Sequence, residues 1–327
     1  MRERMMRIFA AAAAFLLAGV PVGAETYPQR PITMVVPFAA GGATDVIGRI
    51  VAEGMSKELG QRVVVENAPG AGGTTGSLRV RNAEPDGYTV LTGHMGTHAS
   101  AYSLYAKPRY DPRSDFAPVG LEASAPIVLF ARKDFPARTL EEFSAAVKRG
   151  GETIKVGHSG VGSNAHLTCA LFADLVGAKP TQVAYRGNGP LMTDLLAGTI
   201  DYSCDQVITV APQVASGAVK AFAVAGEARS PVLPDVPTTA EAGLPAYQAD
   251  AWTALFAPKG TPEPILARLN QAYARALDDE MVRRRLGELG AVVPSRERRT
   301  RDYLSGLVAR DVDRWAKVVE TAGIRLD

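Results

Sequence analysis

Alternating strand-like and helix-like segments predict an α/β protein built as two domains. Three observations carry this expectation. Apolar, β-branched runs of strand length, such as ITMVVPF at 32–38, lead into stretches with helical spacing. The corners between them are rich in glycine. The chain has 327 residues, more than one hydrophobic core usually serves.

Residues 1–24 read as a secretory signal. Arg2, Arg4 and Arg7 precede the apolar run IFAAAAAFLLAGV, and Val22 and Ala24 set a cut after Ala24. The run is shorter than the ~20 apolar residues of a comfortable membrane span. No cysteine stands near the cut and no later segment resembles a membrane helix, so an exported protein without membrane insertion is expected. The leader holds three arginines and one glutamate, so its removal leaves 33 residues of each sign. That balance gives no electrostatic case for nucleic acid or anionic lipid, which demand basic clusters.

The first βαβ unit runs ITMVVPF (32–38), the corner AAGG (39–42), a helix over 44–60 and the strand RVVVEN (62–67). Val46, Ile47, Ile50, Val51, Met55 and Leu59 keep helical spacing, and Gly60 stops the helix. Thr44 is the expected N-cap, with Asp45 in the first turn, where a carboxylate complements the helix dipole. The second unit repeats the plan with TIKVGHS (153–159), the corner GVGSN, a helix over 165–177 closed by Gly177, and TQVAYRG (181–187). On that helix Leu167, Leu171 and Leu175 stand four apart. LMTDLLAG then reads as a short helix and TIDYSCD as a strand. Near the C-terminus, Leu304, Val308, Val312, Trp315 and Val319 form a helical stripe fit for packing. Cys169 and Cys204 are too few for a disulfide framework. An oxidising compartment would let them pair, but the sequence does not decide, and they are left unpaired.

A strand running through a glycine corner into a helix makes an anion site. The first N–H groups of the helix lack internal partners, the dipole adds partial positive charge, and glycine lets a ligand approach the backbone. Ligands of open α/β sheets bind at the carboxyl ends of strands. Two such corners, one per domain, predict two cradles facing each other over one anionic ligand.

Enzyme signatures fall short. Gly157-His158-Ser159-Gly160-Val161 fails the nucleophile elbow at its fifth place, where Val161 replaces glycine. In NAPGAGGTTGS (67–77) the sixth place after Gly70 and Gly72 is Thr75, and no Gly-Lys-Ser/Thr is present. The stretch reads instead as a tight turn packing a helix on a strand. His94 and His98 stand four apart in GHMGTH, but Met95 holds the place where a zinc protease needs glutamate. Neither a metal nor a cofactor is implied.

The segments YPQRPITMVVPFAAGGATDVIGRIVA, GQRVVVENAPGAGGTTGS, EPDGYTVL, GHSGVGSNAHL, VAYRGNGPLMTDLLAGTIDY and PDVPTTAEAGLPAYQADAWTALFAPKGTP follow one another through nearly the whole mature chain. In order and spacing they resemble the Bug family, the periplasmic solute receptors of tripartite tricarboxylate transporters. The resemblance implies a type II periplasmic-binding-protein fold: two α/β domains joined by two crossing strands, with a ligand cleft between them. Residues 25–124 and 251–327 would form the first domain and 125–250 the second, with crossings near Pro126–Arg132 and Trp252–Pro258. It further implies a periplasmic, monomeric receptor that captures a small carboxylate by domain closure and delivers it to a membrane permease. That carboxylate would be a di- or tricarboxylic acid, an acidic amino acid or an aromatic acid.

Carried onto this chain, the first loop contributes Phe38, Ala40, Gly41 and Gly42, and the second Ser159, Gly162 and Ser163. Gly73 and Gly187 join the candidate set from neighbouring corners. Asp45 has a sufficient structural role in its helix and is also a ligand candidate. His166, in the first turn of the second helix, is expected to line the site. Arg186 suits a second carboxylate, or is a surface arginine in a turn. Asp205 would suit an ammonium or hydroxyl, favouring an amino acid or hydroxy acid. Two other functions remain open: a secreted ester hydrolase using Ser159, and a ligand-sensing subunit of a two-component system.

Overall fold

The computed structural model describes residues 27–226, 228–321 and 323; the expected signal segment lies outside them. Nine strands form one mixed sheet in the order β2-β1-β3-β9-β4-β7-β5-β6, with β8 paired to β4 off that path. In the first lobe β1 (Ile32–Val36) pairs in parallel with β2 (Val63–Asn67) and β3 (Thr89–His94). In the second, β5 (Lys155–His158) pairs in parallel with β6 (Thr181–Ala184) and β7 (Tyr202–Gln206).

Two long antiparallel strands join the lobes. Strand β4 (Phe116–Arg132) pairs with β9 (Asp250–Pro258) as far as Pro126, then exchanges it for β7 and β8 (Val219–Ala225) from Ile127 onward. Strand β9 also pairs with β3. Along β9, Ala251 belongs to the second-lobe core and Trp252 to that of the first. The two strands pass between the cores near Pro126–Ile127 and Ala251–Trp252.

Helices cover both faces because their apolar residues recur on one side. Helix α1 (Ala43–Leu59) buries Ile47, Ile50, Val51, Met55 and Leu59, and Gly60 ends it in the left-handed conformation. Its cap is Gly42, so the Thr44 cap expectation is corrected by two residues: the extended backbone turns helical as soon as the glycine corner ends. Helix α2 (Thr74–Arg81) follows the turn Ala71–Gly73. In the second lobe lie α3 (Leu140–Gly150), α4 (Asn164–Val176), α5 (Asn188–Leu196) and α6 (Val207–Ala215). Leu167 of α4 is buried and Leu171 half-buried, but Leu175 is exposed, because the helix outruns the surface it covers. Helices α7 (Glu263–Ala276), α8 (Glu280–Glu288) and α9 (Arg301–Thr321) return to the first lobe. All five residues of the α9 stripe are buried, and the Trp252 indole donates to Asp311 on this helix at 2.6 Å.

Cys169 and Cys204 form a disulfide, correcting the unpaired expectation. Helix α4 lies on β7 with the two Cα atoms 5.3 Å apart, inside a core with Phe143, Phe172 and Tyr202. The closed loop of 35 residues holds β6 and α5. Cross-linking a loop of that length is worth about 4 kcal/mol through the unfolded chain. Urea unfolding of C169A/C204A should show a loss of that order; equal midpoints would show that the bridge adds nothing.

Candidate functional site

A cavity of about 30 Å³ lies between the lobes at the carboxyl ends of the strands. Phe38, Gly42, Ala43, Thr44 and His94 line it from the first lobe, and Ser159, Asn164, Gly187, Asn188, Asp205 and Gln206 from the second. Four helices begin at its wall: α1 after Gly42, α4 at Asn164, α5 after Gly187 and α6 after Gln206. Each presents N–H groups that a helix cannot satisfy internally, together with the positive end of its dipole. The sequence predicts two such cradles; the structure brings four helix starts together.

The first lobe adds a fixed donor. The His94 Nδ1 accepts from the Gly96 and Thr97 amides at 2.8 and 3.3 Å, which leaves the proton on Nε2. Its ring stacks on Phe38 at 4.6 Å, and burial pushes its pKa down to about 3, so the imidazole is neutral. The second lobe presents acceptors. Asp205 accepts from the Asn188 amide and from the Gln206 N–H, while burial raises its pKa to about 6 against these hydrogen bonds. Asn188 Oδ1 and Gln206 Oε1 are buried without a partner among the described residues. Buried orphan acceptors are costly, so this wall suits a ligand that carries a donor.

Five expected residues line this cavity: Phe38, Gly42, Ser159, Gly187 and Asp205. Gly73 and Arg186 line a second chamber, which shares Phe38 and Ser159 with the first. The rest stand off both chambers. Ala40 and Gly41 are exposed. The Asp45 carboxylate accepts from Gly41 N, Asn67 and Arg49 at 2.8–3.0 Å. Burial works to raise its pKa, but these hydrogen bonds bring it below the usual carboxylate range. It therefore ties the first loop to α1. Ser163 caps α4, its Oγ accepting from His166 N at 3.3 Å. The His166 Nδ1 accepts from Gly162 N at 3.1 Å, and its ring packs against His158. Burial lowers the His166 pKa to about 3, so the ring is neutral.

Sequence reasoning missed Ala43 and Thr44 as wall residues, weighed His94 only as a metal ligand, and missed Asn164, Asn188 and Gln206 altogether. A simple signal would have found most of them: they stand at the carboxyl end of a strand or the first turn of the next helix. No group of three or more potential metal ligands occurs among the described residues. No helix among them is long and apolar enough to cross a membrane.

The lobes meet above the cavity. The Gly96 N–H donates to Asn164 Oδ1 at 3.1 Å. Gly72, at φ 62°, lies directly against the Val161 carbonyl, and Gly187 against Ala39. These contacts join the two lobes across the cleft.

Residues 47–324 match the tripartite tricarboxylate transporter family receptor, TctC. The chain belongs to this family. Protein BugT of Bordetella pertussis is 35% identical over 326 residues, 98% of the receptor and 99% of BugT. The structure of MatC from Rhodopseudomonas palustris with bound malate is 47% identical with a TM-score of 0.87, covering 90% of the receptor and 100% of MatC. That of R. palustris Rpa4515 with adipate is 33% identical with a TM-score of 0.86, covering 91% and 99%. The receptor thus has the type II periplasmic-binding-protein fold and is a solute-binding protein of this transporter class.

Proposed function

We propose that the receptor captures a small carboxylate, preferably one bearing a hydroxyl or ammonium group, and presents it to a membrane permease in the periplasm. The convergence of four helix starts on one interlobe cavity carries this reading. Their free N–H groups and the His94 Nε2–H receive the carboxylate. Phe38, Gly42, Ser159, Gly187 and Asp205 belong to the binding set, and Asp205 with the orphan amide oxygens of Asn188 and Gln206 takes up the ligand's donor. Malate in MatC and adipate in Rpa4515 support the carboxylate class. The first lobe would comprise residues 25–124 and 251–327 and the second 125–250, acting as a monomer. A hydrolase using Ser159 is the alternative, and the match to a receptor family favours capture over turnover.

The test is a thermal-shift and titration screen of residues 25–327, refolded once to remove carried ligand. Malate and aspartate should bind more tightly than succinate, and Asp205→Asn should shrink that preference. At 100 times its dissociation constant a ligand stabilises by about 2.7 kcal/mol. Silence towards every acid, combined with turnover of a chromogenic acetate and labelling of Ser159 by a fluorophosphonate, would replace the receptor reading with the hydrolase.

A further inference from the structure

A narrow seam divides the second lobe. Strand β5 pairs with β7 at a single position, Val156 opposite Tyr202, whereas β5 matches β6 at four positions and β4 matches β7 at five. Hydrogen bonds also cross the seam. Lys155 and Asp201 exchange two at 2.8 Å at the end far from the cavity, Ser203 Oγ donates to the Gly157 carbonyl at 2.8 Å, and Asn188 donates to Asp205 at the cavity itself. The cavity is lined from both sides: Ser159, Asn164, Gly187 and Asn188 follow β5 or β6, and Asp205 and Gln206 end β7.

Helix α4 leaves β5 and lies on β7, and no hydrogen bond joins the two among the described residues. The Cys169–Cys204 bond is their fixed link, and both cysteines are fully buried. Cys204 immediately precedes Asp205. Cys169 lies five residues beyond Asn164, about 7.5 Å along the helix at 1.5 Å per residue. The bond therefore ties the donor end of α4 to the acceptor end of β7 by the shortest covalent path. Helices held by packing alone shift by about 1–2 Å, whereas a binding constellation must hold its groups to within about 0.5 Å.

We propose that the Cys169–Cys204 bond is a positioning element of the binding site, holding the start of α4 at a fixed distance from the acceptors Asp205 and Gln206. It thereby sets the preference for an acid whose hydroxyl or ammonium reaches across the seam. This rests on the carboxylate-receptor reading above, and it is separate from the effect of the bridge on the unfolded chain.

Titration calorimetry with malate and succinate tests this on the ligand-free wild type, C169A/C204A and C169V/C204A, each held well below its unfolding midpoint. The wild type should prefer malate. In both variants malate should bind about tenfold or more weakly, while succinate, which has no donor for Asp205, should change by about threefold or less. Valine returns much of the buried volume that alanine removes, so malate affinity regained in C169V/C204A would assign the effect to packing and overturn the proposal. Because the bridge acts through Asp205, adding Asp205→Asn to C169A/C204A should cost little further, and fully additive losses would count against it. Undiminished malate affinity in both variants, equal losses for the two acids, or no malate preference in the wild type overturns the positioning role and leaves the receptor standing. Binding of no acid by the wild type overturns the positioning role and the receptor reading together.

Discussion

Replacing Gly72 by valine should weaken ligand binding by about 10–100-fold while leaving both lobes folded. A Cβ at this position would overlap the Val161 carbonyl of the opposite lobe. Overpacking of this kind costs about 1–3 kcal/mol, and here the cost would fall only on a form in which the two loops touch. The left-handed backbone at φ 62° adds a second cost, which falls on both forms and so affects stability rather than binding. Gly60→Ala separates the two effects. Gly60 has φ 67° with open space around its missing side chain, so alanine there should lower stability by about 1 kcal/mol and leave affinity alone. Small-angle scattering supplies a second readout: malate should compact the wild type but not Gly72→Val. Wild-type affinity in that variant would show that the Gly72–Val161 contact is not part of closure.

One buried acid should withdraw stability as pH rises from about 5 to about 8. Glu122, on β4 in the first-lobe interior, is fully buried. Its Oε1 accepts from Thr92 Oγ1 at 3.3 Å, and its Oε2 has no partner among the described residues. Burial raises its pKa to about 8, against the smaller lowering effect of Thr92. The folded state therefore holds a proton that the unfolded state releases near pH 4.5. The stability this provides is complete below the unfolded pKa and is lost as pH rises through about 8. Between pH 6 and pH 9 Glu122's own contribution falls by about 3 kcal/mol, and because the buried histidines gain stability over the lower part of that window, the loss is read as the stability of wild type minus that of Glu122→Gln. That difference should fall by this amount across the window, whatever constant offset the amide introduces. Parallel pH profiles for wild type and variant would remove Glu122 as the cause. The buried histidines act with the opposite sign. Burial lowers His94 and His166 to about 3 and His158 to about 4. Their contribution is present above the unfolded value of about 6.5 and is lost as pH falls through their folded values. The stability maximum should thus lie between the two limbs.

The βαβ units were legible because their chemistry is local. ITMVVPF and TIKVGHS advertise buried parallel strands, and helical spacing with a terminal glycine marks α1 and α4 to within a residue or two. Loop residues were harder to assign. Ser163 and Asp45 carry the side chains expected of ligand donors and acceptors, yet both are consumed in fixing their own loops. Short polar side chains beside a helix start satisfy the backbone as readily as they meet a ligand. His94, Asn164, Asn188 and Gln206 gain their roles only from contacts distant in sequence, such as the pairing of Gly96 with Asn164. Glu122 gives no local sign of its burial, because strand alternation does not reveal that β4 is covered on both faces.

The strand order also sets a timetable. Strand β9 lies between β3 and β4, yet it is made after every other strand. A chain emerging N-terminus first can close its second lobe from one continuous stretch, including the bridge between residues 169 and 204. Its first three strands must wait beside an empty slot until residues 250–258 arrive. Pairings of such long range are slow to form. The lobe begun first is completed last, and the cavity comes into being only at the end.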